Sequence, residues 1–288
     1  MSSNDFVIDV ADGVEEISDA NRAVQPPEQE DYTGEDGLIY CHKCHTARQT
    51  RIGLGEGQTR VVWCNCKCMN EEYERQETKW QEELRQQRIG DIRRRAFPEP
   101  AMREWTFERD DRQNPRISDA MKRYAEKFQE FYKAGQGILL YGPVGTGKTY
   151  LAACIANAII DQERGAYMTS FSRILNELQS SFEGRQEYID ELCGQPLLVI
   201  DDLGVERDSA YAQEQVYSVI DGRYRAKRPL IVTTNLSFDE IANCQDIGRR
   251  RIYDRILETC HPILVNGDSR RKSAAKESYG RMNKELGL

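Results

Sequence analysis

The stretch GILLYGPVGTGKTYLAACIANAII, residues 137 to 160, constrains most strongly what this chain can fold into. A short apolar run of buried-strand character meets a glycine-rich loop that satisfies G-x-x-x-x-G-K-[ST] and opens directly into an apolar helix. Gly142, Gly145 and Gly147 let the backbone curl so that successive N–H groups face one anion, and the helix N-terminus adds its positive dipole end. The loop formed by Gly142, Pro143, Val144, Gly145, Thr146, Gly147, Lys148 and Thr149 is therefore a phosphate cradle. Lys148 is expected to reach the β- and γ-phosphates, and the Thr149 hydroxyl to ligate Mg2+.

The pattern around that loop alternates strand and helix. Besides GILLY, the segments AYMTS, LLVID, LIVTT and PILV read as short apolar strands, with helical stretches such as ISDAMKRYAEKFQEFYKA and TYLAACIANAIIDQ between them. Five such strands with helical crossovers predict an α/β fold, a parallel sheet covered on both faces. LLVIDDLG sets Asp201 at the C-terminal edge of a buried strand, where open α/β sheets bind ligands, so Asp201 is the expected Mg2+ partner of Thr149. Asp202 follows and is the residue expected to polarise an attacking water, with Glu206 as a second candidate base. LIVTTN brings Asn235 to the same edge, where a short amide reaches a γ-phosphate or a lytic water. Downstream, GRRRIYDRILETC packs Arg249, Arg250, Arg251 and Arg255 around a helix start, where cations oppose the helix dipole. An arginine supplied to a neighbour's γ-phosphate explains such a cluster and requires an oligomer.

Charge has to be located before it is interpreted. The formal net charge is -8, but residues 1 to 36 hold eleven Asp or Glu against one Arg, a net of -10 that leaves about +2 for residues 37 to 288. That acidic segment has few large apolar side chains and reads as a disordered tail. No run of about 18 apolar residues exists, so no membrane span is expected, and Cys154, Cys193, Cys244 and Cys260 are scattered singly as buried free thiols, which fits a reducing, cytoplasmic setting.

The other five cysteines lie between residues 40 and 68, in YCHKCHTARQTRIGLGEGQTRVVWCNCKC. Cys41-x-x-Cys44 and Cys64-x-Cys66-x-Cys68 have the two-knuckle spacing of a structural Zn2+ site, and so short a module needs metal to supply folding free energy. Cys41, Cys44, Cys64 and Cys66 are the favoured ligands, because VVWCNC keeps an extended approach to the knuckle; Cys68 is the alternative ligand, nearer a helix capped by Asn70. From Asn70 a helix with a thin apolar stripe, Tyr73, Trp80, Leu84 and Ile89, and a break at Gly90 reads as a solvated connector or, alternatively, a partner-binding helix. FPEP, residues 97 to 100, closes it. The expected organisation is a tail over 1–36, a zinc-binding module over 37–69, a connecting helix over 70–96 and an ATPase domain over 97–288.

Taken together, GPVGTGKT, LLVIDDLG, TTNLS, RRRIYDRI and GDSRRKS resemble the AAA+ helicase loaders of the DnaC/DnaI type and the related IstB transposition helpers, from about FPEPAMREWTFERD to GDSRR. The resemblance implies a P-loop ASCE sheet of strand order 5-1-4-3-2, ATP rather than GTP, and assembly into a homo-oligomeric ring or spiral. It also implies a hexameric replicative helicase of the DnaB family and single-stranded DNA as partners. By the same resemblance Asp201 and Asp202 match the Walker B pair, Asn235 sensor I, Arg255 the arginine finger with Arg251 as competitor, and Arg271 sensor II with Arg270 as competitor. Asp202 stands where the wider AAA+ pattern has Glu, one methylene longer, which suits a slow switch better than a motor. A cysteine module ahead of the core is similar to that of several loaders and favours them over the IstB type. TSFSRILNELQSSF, with Phe171 as a stacking side chain, is a candidate DNA surface, core packing of Phe171 being the alternative.

Overall fold

The computed structural model describes residues 30–55, 58–180, 184–204 and 209–288, so the tail up to residue 29 and Glu206 lie outside the described residues. The chain divides into two compact units, Met1–Leu84 and Arg85–Leu288.

In the first unit β1 (Tyr32–Thr33) pairs antiparallel with β2 (Ile39–Tyr40), and β3 (Gln49–Gly55) with β4 (Gln58–Trp63). Residues 30 to 36, acidic by composition, are thus drawn into structure: Asp31 forms an ion pair of 2.6 Å with Arg48, and both side chains are buried. Among the described residues of this unit few apolar side chains are buried, chiefly Leu38, Cys41 and Cys66. Helix α1 (Lys67–Ala96) follows. It starts three residues before Asn70 and runs straight through Gly90. The glycine cost of about 1 kcal/mol is outweighed because Ile89 beside it is buried in the core, and Arg85 and Arg88 both bond Glu163.

The second unit is built on five parallel strands: β5 (Gly137–Tyr141), β6 (Ala166–Ser170), β7 (Leu197–Leu203), β8 (Leu230–Thr234) and β9 (Cys260–Leu264). Their order across the sheet is β6-β7-β8-β5-β9, the order expected from the resemblance. Because side chains alternate along a strand, Ile138 and Leu140 enter one core while Leu139 enters the other. The first core packs under α2 (Pro115–Glu126), α3 (Phe128–Ala134) and the phosphate-loop helix α4 (Lys148–Ile160). The second packs under α5 (Phe171–Ser180), α6 (Arg185–Gly194), α7 (Ala210–Arg225) and, beyond the short α8 (Phe238–Ala242), α9 (Ile247–Thr259). Phe171 is 1% exposed within this core, so the stacking expectation gives way to packing. The helix expected over residues 117–134 breaks into α2 and α3 around Lys127. Helix α10 (Arg270–Leu286) ends the chain, and no helix among the described residues is long and apolar enough to cross a membrane.

Candidate nucleotide site and cysteine cluster

The strand order brings the C-terminal ends of β5, β7 and β8 side by side, and the expected residues meet there. The loop needs its glycines: Gly145 (φ +86) and Gly147 (φ +98) are left-handed, and a Cβ at each would strike Ser269 Oγ at 2.2 Å and Arg270 at 2.1 Å. The Lys148 ammonium donates to the carbonyls of Gly142 (2.8 Å) and Pro143 (2.7 Å) and to Asn235 Oδ1 (2.8 Å), joining the loop to the end of β8. Burial presses its pKa down, Asp202 and Asp201 oppose that, and Arg271 adds to it. Thr149 Oγ1 donates to Asp201 Oδ1 at 2.9 Å. Burial also pushes the Asp201 carboxyl up, while hydrogen bonds from Thr233 and Thr149 and the charge of Lys148 hold it back. A half-buried carboxylate paired with a hydroxyl beside a cationic loop is a fitting donor set for Mg2+ on a polyphosphate. Asp202 is exposed at the rim, with a left-handed backbone (φ 58).

The arginines sort by position. Arg270 reaches the loop: its guanidinium bonds the Thr146 carbonyl and holds Asp111 through Nε at 2.7 Å and Nη2 at 2.8 Å. Arg271, next along, is exposed, and its charge is felt at Lys148. Arg255 lies 4.1 Å above the Tyr224 ring and bridges Asp221 (3.4 Å) and Glu258 (3.3 Å), with 34% of its side chain exposed. Arg251, one turn earlier, lies 4.3 Å above the Tyr217 ring. Both arginines therefore rest on the tyrosines of α7.

Sequence reasoning missed two contributors to the site, Thr233 and Asp111, and a structural residue before the N-terminal ends of β7 and β8, Arg223. Thr233, inside the quoted TTN, donates to Asp201 and accepts from the Asp202 N–H at 3.0 Å. Asp111, in FERDD, anchors Arg270, and its carboxyl is held below the usual range by that guanidinium. Arg223 is fully buried, its guanidinium bonding the carbonyls of Cys193 (2.9 Å), Gln195 and Pro229, which precede β7 and β8. The neighbouring hydroxyls of TTN were a readable signal for Thr233; nothing local distinguishes Asp111 or Arg223.

In the first unit Cys41, Cys44, Cys66 and Cys68 bring their sulfurs within 4.8 Å of one another. Cys68 thus replaces Cys64 in the set favoured from spacing. Because α1 begins at Lys67, its first turn wraps the Cys68 sulfur to 3.3 Å from that of Cys66 and 3.6 Å from that of Cys41. The strand geometry ends at Trp63, and Cys64 points its sulfur toward the Ala47 carbonyl at 3.6 Å. Tetrahedral Zn2+ with bonds of about 2.3 Å needs sulfurs about 3.8 Å apart, so the group fits. Thr46 Oγ1 accepts the Lys67 N–H at 2.9 Å and touches the Cys44 sulfur at 3.1 Å. Burial pushes the Cys44 thiol up, but hydrogen bonds led by Thr46 outweigh it and bring it to about 5; Cys68, bonded to Cys66, is pushed up to about 12. Metal binding would release the protons that such thiols carry. His42, held by Glu30 and Asp31, and His45, bonded to Tyr32, stand outside the four-sulfur group.

The sequence profile described as IstB-like ATP binding protein matches residues 69–278. The chain belongs to that family. Proteins similar to it include the replicative helicase loader DnaI of Bacillus subtilis, 27% identical over 167 residues, 54% of this chain and 52% of that protein. An ATP-binding protein in an insertion sequence of Mycobacterium tuberculosis is 28% identical over 162 residues, 55% of this chain and 64% of that protein. The crystal structure of DnaI superposes with a TM-score of 0.51 at 27% identity, covering 61% of this chain and 95% of that one. The chain matches between about half and two thirds of the length of these curated relatives.

Proposed function

We propose that this protein is an ATP-dependent loader of a hexameric replicative helicase of the DnaB family. In this reading the phosphate loop from Gly142 to Thr149 binds ATP, and Thr149 and Asp201 hold Mg2+, which when bound neutralises phosphate charge. Asp202 polarises the attacking water, and Asn235, the amide already bonded to Lys148, senses the γ-phosphate. Hydrolysis to ADP and phosphate is slow, because the Asp202 carboxylate is short for its task. Arg255 of one subunit completes the site of the next in a ring or spiral, with Arg251 its competitor; Arg271 acts on the nucleotide from α10, while Arg270 clamps the loop.

The observation that carries the loader reading is the four-sulfur group ahead of a phosphate-loop unit. A Zn2+ module there, with α1, supplies a surface for the helicase, while the ATPase unit meets single-stranded DNA. The alternative, an ATPase helper of DNA transposition, draws on the relative named for an insertion sequence. Affinity capture from the source cell tests the choice: a DnaB-family helicase in the capture supports loading, and a transposase in its place supports the alternative. For the nucleotide site, full ATP affinity in Lys148→Ala would remove the phosphate-loop reading.

A further inference from the structure

The ladder between β7 and β8 slips between Ile200 and Leu203: Ile200 pairs with Val232 and Leu203 with Thr234. Two residues, Asp201 and Asp202, therefore stand opposite one, Thr233, which is the two-against-one geometry of a β-bulge. Asp202 takes the left-handed backbone (φ 58) that lets the extra residue fit, a conformation costly for most side chains and tolerated best by Asn and Asp. Such a bulge holds only if its loosened groups find partners. Thr233 supplies them with one side chain that is fully buried: the hydroxyl donates to Asp201 Oδ1 and accepts the Asp202 N–H at 3.0 Å. Thr234 continues the same clasp, its hydroxyl donating to the Leu203 carbonyl at 2.7 Å and accepting the Leu236 N–H at 3.1 Å.

We propose that Thr233 is a positioning residue for the acid pair. Its hydroxyl fixes the bulge in which Asp201 faces Thr149 and Asp202 presents its carboxylate at the rim. The inference rests on the reading of Asp201 and Asp202 as the Mg2+ and water residues. It also ties the two halves of the site together, since the strand that leads into Asn235 holds the acid pair through the residue two positions before that asparagine. A valine has the same shape but no hydroxyl, and it takes from the Asp202 N–H its acceptor at the bulge. A serine keeps the hydroxyl and loses only a methyl group.

The experiment compares wild type, Thr233→Val, Thr233→Ser and Asp202→Asn in ATP turnover at saturating ATP and Mg2+ with single-stranded DNA and helicase present. ATP affinity is measured in parallel with a fluorescent ATP analogue. The expected result is a fall in kcat of about tenfold or more for Thr233→Val, with affinity held within about twofold, the split expected when only transition-state geometry is lost. Thr233→Ser should recover most of that turnover. Turnover by Thr233→Val within about twofold of wild type, an equal loss of turnover and affinity, or a serine variant as slow as the valine variant would each overturn the positioning role. Absence of turnover in the wild type itself, or full turnover in Asp202→Asn, overturns instead the catalytic reading on which it rests.

Discussion

The two units hold themselves together by different means. In Arg85–Leu288 the strands β5 to β8 and their helices bury two continuous apolar cores, each such side chain contributing about 1.5–3 kcal/mol, and the site residues are set into that frame. In the first unit the hairpin β3–β4 is mostly exposed, and the buried places are held by cysteines and by the Arg48–Asp31 ion pair. On the proposed reading of the four sulfurs as a Zn2+ site, the smaller unit is expected to depend on metal for its fold and the larger one not. It also separates what each is expected to do: a site carried on a packed sheet stays put, whereas the proposed surface around the four sulfurs should order with the metal.

The largest test of that contrast is metal removal. Structural Zn2+ contributes about 10–16 kcal/mol to small folds, so chelation should abolish amide-exchange protection around Cys41, Cys66 and the first turn of α1 while the sheet unit melts unchanged. Simultaneous loss of both units would break the comparison. Next in size is Arg48→Met, which takes the guanidinium from the buried Asp31 carboxylate while its bonds to His42 remain, and should cost the first unit about 3–5 kcal/mol, read from its denaturant midpoint. Its counterpart in the sheet unit, Arg223→Met, removes a guanidinium held by backbone carbonyls and leaves no carboxylate behind. A smaller loss is expected there, about 2–3 kcal/mol, in the chemical unfolding of the sheet unit. Lys148→Ala should weaken ATP binding by about 10- to 100-fold, the worth of one or two charged hydrogen bonds, with both units still folded by circular dichroism. The smallest effect sharpens the metal set: Cys64→Ser should leave one Zn2+ per chain and shift stability by less than about 0.5 kcal/mol, whereas Cys68→Ser should lose metal in the same elemental assay.

What was legible in the sequence follows the same division. Strands β5 to β9, the phosphate loop, Asp201 and Asn235 could be read because each is a local pattern, a short apolar run ending in a polar residue, and the sheet order then brings the ends together. The choice between Cys64 and Cys68 was not legible, because it turns on where α1 starts, and Lys67 at its first position is capped by Thr46, twenty-one residues earlier. Gly90 stays helical because a packed neighbour outweighs propensity. Phe171 is core because β6 leads straight into α5, so the first turn of that helix faces the sheet. Arg270 rather than Arg271 holds the loop because Asp111, 159 positions away in the chain, receives it.

Co-elution of the purified chain with a DnaB-family hexamer, followed by transfer of that hexamer onto single-stranded DNA, tests loading most directly when wild type, Cys44→Ser and Lys148→Ala are compared. The predicted result is a complex formed by wild type and by Lys148→Ala, lost with Cys44→Ser, and ATP-dependent transfer by wild type alone. A wild-type chain that binds no such helicase, or a Lys148→Ala variant that performs transfer as well as wild type, would contradict it.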